Sequence, residues 1–239
     1  MIKNFSITFA VILFTISAYS QQITLDDWNE QSRSNIRLLP KYGYAQKTEG
    51  QKALDKEFVE STIKQFAGNR KASAHLIELG FKYLNQDVKT AMYRFNQAFL
   101  LDSTNSDINW GYAAVYMTLQ DFHKAQQQFL EGLSVNLNST HLLTDYGTYF
   151  LAQYYGMQAG TDKGKALPQL DSALYYMIKS YNIDPKDQNT TFKLCVVYFL
   201  QKDCSKAWKY YNECKLLGEG PITEDFTKAL KQQCAQKSQ

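Results

Sequence analysis

From Gln51 onward, apolar residues recur at helical spacing along almost the whole chain, and they do so in blocks. Between Gln51 and Phe66 the residues Ala53, Leu54, Phe58, Ile63 and Phe66 fall mostly at that spacing among charged neighbours. This predicts a first helix over 51–68, ended by Gly68 and Asn69. Four helix pairs are predicted beyond it: about 72–84 with 88–101, 107–119 with 122–135, 141–155 with a helix ending at Ile183, and 189–200 with 205–217. Gly156 to Lys165 interrupts the third pair as a loop. Gly218, Gly220 and Pro221 break the pattern, and Thr223 caps a last helix to about Gln236. Glu224 and Asp225 in its first turn suit the helix dipole. Residues 21–50 show no clear period. Thr24-Leu25-Asp26-Asp27-Trp28 can open a short helix. Leu38-Leu39-Pro40-Lys41-Tyr42-Gly43-Tyr44 reads as an extended, turn-rich strap, because proline disfavours helix in the residue before it.

The blocks repeat. Ala91 and Ala125 are 34 residues apart, as are Ala173 and Ala207, and the middle gap of 48 equals 34 plus a 14-residue insertion. A fixed period of this length is the mark of a stacked helical repeat, so the predicted fold class is all-α. The first helix of each pair offers a small residue, Gly80, Ala113, Gly147 or Cys195. An aromatic follows three on, at Tyr83, Tyr116, Phe150 or Tyr198. Four after the alanine of the second helix stands a bulky residue, Phe95, Phe129, Met177 or Tyr211, and three further a small one, Ala98, Gly132, Ser180 or Cys214. Small residues let paired helices approach closely, and bulky ones fill the gaps that remain.

Over residues 72–217 this pattern resembles the tetratricopeptide repeat family, including the Asp184-Pro185 turn before the last pair. Two departures stand out. The first pair is one residue short before its alanine, and Ser103 and Leu137 stand where the family has proline. The resemblance implies a right-handed superhelical solenoid of four helix pairs, with an N-terminal strap and helix and a C-terminal capping helix over 221–236. It also implies a concave face lined by the first helices. Helix geometry then aims three places per repeat at that groove, three before, one after and four after each small residue. These are Ile77, Phe81 and Leu84; Trp110, Ala114 and Met117; Thr144, Thr148 and Leu151; and Phe192, Val196 and Phe199.

Such a groove is greasy and aromatic, the composition of recognition hot spots. Two readings stay open. Either the groove is free for a protein or peptide partner, or the strap, with Trp28, Leu38, Leu39, Tyr42 and Tyr44, lies in it. None of the groove places carries Lys or Arg, which argues against clamping a terminal carboxylate as some family members do.

Composition adds the setting. Lys3, an apolar run from Phe5 to Ala18 and the small residues of Ala18-Tyr19-Ser20 read as a secretory signal over 1–20. Its removal leaves 219 of 239 residues and moves the net charge from +3 to +2, too little for an electrostatic nucleic-acid binder. No further segment is apolar enough to span a membrane. The chain is therefore expected to be periplasmic or extracellular, where disulfides form.

Cys195, Cys204, Cys214 and Cys234 fit no zinc spacing. If the last helix stacks like the first half of a fifth repeat, its end meets the start of the preceding helix, which favours a Cys204–Cys234 bridge. Cys195 and Cys214 then serve as packing residues. His75, His123 and His141 stand singly. Ala159-Gly160-Thr161-Asp162-Lys163-Gly164-Lys165-Ala166 fails as a phosphate loop at both its first glycine and its hydroxyl position. No catalytic constellation, metal or cofactor is called for. The expected function is an exported adaptor or assembly scaffold that binds a protein partner in the groove. A structural subunit of a cell-envelope or secretion complex, and an aromatic-groove peptide or carbohydrate capture protein, are the alternatives.

Overall fold

The computed structural model describes residues 23–160, 164, 166–218 and 220–235. The expected signal over 1–20 lies outside the described residues. Among these the chain is all helical. After α1 (Leu25–Ser32) come two short 3-10 turns, Ile36–Leu38 and Pro40–Tyr44, and then α2 (Glu49–Ile63). Next are α3 (Asn69–Leu84), α4 (Val88–Leu101), α5 (Asp107–Thr118), α6 (Phe122–Val135), α7 (Thr140–Ala159) and α8 (Leu167–Ile183). The chain closes with α9 (Gln188–Leu200), α10 (Cys204–Leu216) and α11 (Glu224–Gln233). The most extensive packing is within α3–α4, α5–α6, α7–α8 and α9–α10, and each pair stacks on the next.

Close approach is set by the small residues. The ring of Phe95, fully buried, lies against Gly80 of its own pair and Gly111 of the next, and a Cβ at either glycine would overlap it. Met177 lies in the same way against Gly147. The turns repeat as well. Asp87, Asp121 and Asp203 cap α4, α6 and α10 by accepting hydrogen bonds from first-turn backbone amides. Asp102, Asn136 and Asp184 each accept the amide two residues on, at 3.0 Å in every case. One side-chain-closed turn therefore links successive pairs whether or not proline is present.

Several boundaries differ from the sequence expectation. α2 starts earlier, because Thr48 and Gln51 form a capping box, and it ends at Ile63. Gly68, at φ 103°, caps the start of α3 rather than simply closing α2. α7 runs through Gly156 to Ala159, so the insertion begins at Gly160. Gly156 meets nothing within 4 Å, and one exposed glycine weakens a helix without ending it.

The strap does not enter the groove. It crosses the second helices α4 and α6, on the opposite face. Asn96, fully buried, donates to the carbonyls of Arg37 (2.8 Å) and Leu39 (3.0 Å) and accepts from the Tyr112 hydroxyl (2.7 Å). That hydroxyl in turn accepts from the Lys41 amide at 3.1 Å. Trp28 and Leu38 are buried in the core, whereas Tyr44 is 74% exposed. Lys41, Tyr42, Gly43 and Tyr44 all take positive φ, at 54°, 57°, 62° and 53°. This left-handed turn replaces the extended strap the sequence suggests. It costs on the order of 1 kcal/mol for each non-glycine residue, offset by the Lys41–Glu131 ion pair and by Lys47 lying over the Tyr42 ring.

The core forms two clusters, one from Trp28 to Tyr149 and one from Leu151 to Cys234. Phe150 and Tyr176, stacked at 5.7 Å, lie at the join. At the C-terminal end, Cys204 and Cys234 form a disulfide with a Cα–Cα distance of 5.3 Å. Trp208 Nε1 donates to the Cys234 carbonyl at 2.8 Å, and Leu230 is fully buried, so α11 is held as the sequence model of a fifth half-repeat requires. Cys195 and Cys214 are both buried in their packing places.

Candidate functional site

The first-helix face carries a row of aromatic and charged groups held by successive pairs. Phe81 of α3 meets Trp110 of α5 with ring centroids 3.9 Å apart. The other face of Trp110 stacks on His141 of α7 at 4.3 Å and 11°. Trp110 Nε1 donates to Asp145 Oδ2 at 2.7 Å, and Lys193 Nζ of α9 donates to Asp145 Oδ1 at 2.8 Å. Four helix pairs are thus joined by one aromatic stack and one carboxylate. Below them Asp107, in the first turn of α5, accepts from Ser139 Oγ at 3.2 Å and lies 3.4 Å from His141 Nδ1. Deeper still, the Thr144 hydroxyl donates to Ser180 at 2.8 Å and also meets Thr190.

A cavity of about 530 Å³ opens beside this row, between α5, the start of α7 and the turn into α9. Trp110, His141, Thr144, Asp145, Asp187 and Asn189 are among its walls. The contact with Asp107 raises the pKa of His141. Burial opposes the shift, and the neighbouring carboxylates Asp107, Asp145 and Asp187 add to it. For Asp107 burial pushes the pKa up, but the bonds from His141 and Ser139 together outweigh it, so the net direction is down. The site therefore sets carboxylates beside Lys193 and His141 on helices that pack against one another. It can pair with charged side chains and hydrogen-bond an extended backbone. Among the described residues no group of three His, Cys, Asp or Glu side chains is arranged to hold a metal.

The twelve expected groove places fare unequally. Phe81 and Trp110 form the stack, and Leu84, Ala114, Met117, Thr148 and Val196 are half-buried along α3, α5, α7 and α9. Ile77, Thr144 and Leu151 are buried, at 4%, 2% and 7% exposure, Ile77 and Leu151 within the two core clusters and Thr144 bonded to Ser180 and Thr190. Phe192 and Phe199 are not open groove either. Phe226 of α11 covers both, with ring centroids 5.1 and 5.5 Å away. Nor is the groove simply greasy. Asp107, His141, Asp145, Asp187 and Lys193 supply its polarity and were missed by counting from the small residues alone. A signal existed: Asp107 and His141 are one period of 34 apart, at the same place in successive repeats.

No protein-family model and no curated protein matches the sequence. Among solved structures, MamA is similar over 73% of this chain and 97% of its own, at 15% identity and a TM-score of 0.45. PilF of Pseudomonas aeruginosa is similar over 70% and 84%, at 16% identity and a TM-score of 0.39. YrrB, described as a TPR protein with an unusual peptide-binding site, is similar over 71% and 97%, at 16% identity and a TM-score of 0.32. No described helix is long and apolar enough to cross a membrane. With its paired helices, its 34-residue spacing and its alternation of small and bulky packing residues, the chain has a stacked helix-pair fold that resembles that of tetratricopeptide repeat proteins.

Proposed function

We infer that this protein is an exported interaction module, an adaptor or assembly scaffold, that holds an extended segment of a protein partner along the first-helix face. One observation carries the reading. The strap occupies the second-helix face of the N-terminal pairs, while the face bearing the Trp110–His141 stack is left with an open cavity. The groups there come from separate helix pairs that pack rigidly, which lowers the ordering cost of binding. Export is supported by the signal-like segment over 1–20 and agrees with a disulfide at the C-terminal cap.

The test is a peptide array probed with the purified chain and with a Lys186→Glu, Asn189→Arg variant. Both substituted side chains lie at the cavity rim and are exposed, so the fold is retained. Peptides that bind the parent are expected to lose about tenfold or more in affinity for the variant. Equal binding by the two proteins would remove the groove as the binding face.

A further inference from the structure

The outer face of α8 carries a row of five residues that is apolar at both ends, aromatic at the centre and oppositely charged in between. Leu167, Asp171, Tyr175, Lys179 and Ile183 follow at intervals of four, so they form one ridge along the helix surface. The order is apolar, acidic, aromatic, basic, apolar, with Tyr175 at its centre. Leu167, Tyr175 and Ile183 are 61%, 63% and 44% exposed. The inner face of the same helix is already used, with Leu170, Ala173, Met177 and Ser180 all buried. Leu174 and Ile178 make a second row beside the first, and an open groove of about 440 Å³ lies along the two. Asp171 accepts one hydrogen bond, from Gln201 at 3.1 Å. Among the described residues neither Asp171 nor Lys179 is in an ion pair.

The repeat shows what this place is suited to. Tyr175 stands two residues after Ala173, as Tyr93 stands two after Ala91. Tyr93 is covered by the strap: Asn35 Nδ2 donates to its hydroxyl at 3.0 Å and the Arg37 guanidinium lies 3.9 Å from its ring centre. Among the described residues the same face of α8 has no such cover.

We propose that α8 is a self-association face, two copies of this chain pairing α8 against α8, antiparallel, about a two-fold axis at Tyr175. That axis sets each residue opposite the one equally far on the other side of position 175. Asp171 then faces Lys179 of the partner subunit, and Lys179 faces the partner's Asp171. The ridge of each copy seats in the groove of the other, the packing of like i±4 rows that crosses helices at about −50°. A parallel pairing would instead set acid against acid and base against base. A single helix face is small for an interface, so the association is expected at roughly tens of micromolar.

Sedimentation equilibrium tests this. The purified chain is expected to dimerise. Asp171→Lys alone and Lys179→Asp alone each put like charges opposite one another twice and are expected to weaken dimerisation about tenfold or more. An equimolar mixture of the two variants is expected to recover it, since each then faces its opposite. Unchanged thermal melting establishes that these surface variants are folded. A chain that stays monomeric to about 300 µM would overturn the proposal. So would a dimer that both single variants leave intact, or a pair of variants that the mixture does not rescue.

Discussion

Trp110 and Tyr112, two residues apart on α5, serve opposite faces of the solenoid. The indole of Trp110 donates to Asp145 on the first-helix face, at 2.7 Å. The hydroxyl of Tyr112 receives the Lys41 amide of the strap at 3.1 Å, on the other face. A step of two residues turns about 200° around a helix, so one short segment organises both the open face and the covered one. Between them Gly111 gives way to the ring of Phe95.

Removing the Tyr112 hydroxyl should loosen the strap without creating a cavity. In Tyr112→Phe the Lys41 amide and the Asn96 carboxamide oxygen each lose a buried partner. The expected cost is about 1–3 kcal/mol in urea unfolding. Tryptic cleavage at Arg33 and Arg37 should be faster than in the parent. Unchanged cleavage would mean that Trp28 and Leu38 alone hold the strap.

Gly111→Ala should be costly for its size. The added methyl meets a Phe95 ring that is also closed in by Gly80, so the ring has no free side to move toward. A loss of about 1–3 kcal/mol is expected. Gly156→Ala, where nothing lies within 4 Å, should leave stability unchanged or raise it slightly. Thermal melts of the two variants side by side check the contrast.

The Asp107–His141 contact gives a signed dependence on pH. His141 has its pKa raised above 6.5, so its share of stability is complete below that value and lost as pH rises through the folded pKa. Asp107 has its pKa lowered below 3.8, so its share is complete above that value and lost as pH falls through the folded pKa. The pair is therefore at full strength between those two limits. Titration of His141 by NMR should give a pKa above 6.5, and Asp107→Asn should lower it. A value at or below 6.5 in the parent would show that the contact is not made in solution.

The disulfide and the two buried thiols differ in reactivity. Denatured, unreduced protein should show two reactive thiols, and four would exclude the Cys204–Cys234 bridge. In the native state Cys195 should resist thiol reagents, since burial, with Cys214 nearby, pushes its pKa up to about 12. Cys204→Ser should cost about 3–4 kcal/mol, because the bridge closes a separation of 30 residues, and it should release the end of α11 first.

The sequence by itself determined the helix pairs and their register, and it favoured the stapled cap that the structure shows. Those features depend on local rules: a helical period, a cap, and an alanine, glycine or phenylalanine recurring at a fixed place, as with Gly80 and Phe95. Only the tertiary structure decided where the unpatterned parts went. The strap has no period of its own, and its position is set by Asn96, whose one buried amide satisfies two backbone carbonyls almost 60 residues away in sequence. The register marked Phe192 and Phe199 as groove residues, but α11 covers them, because a solenoid must bury the open apolar face of its last pair. Trp110 was legible in advance. Its partners Asp145 and Lys193 were not, because a polar contact between repeats depends on how one pair is set against the next.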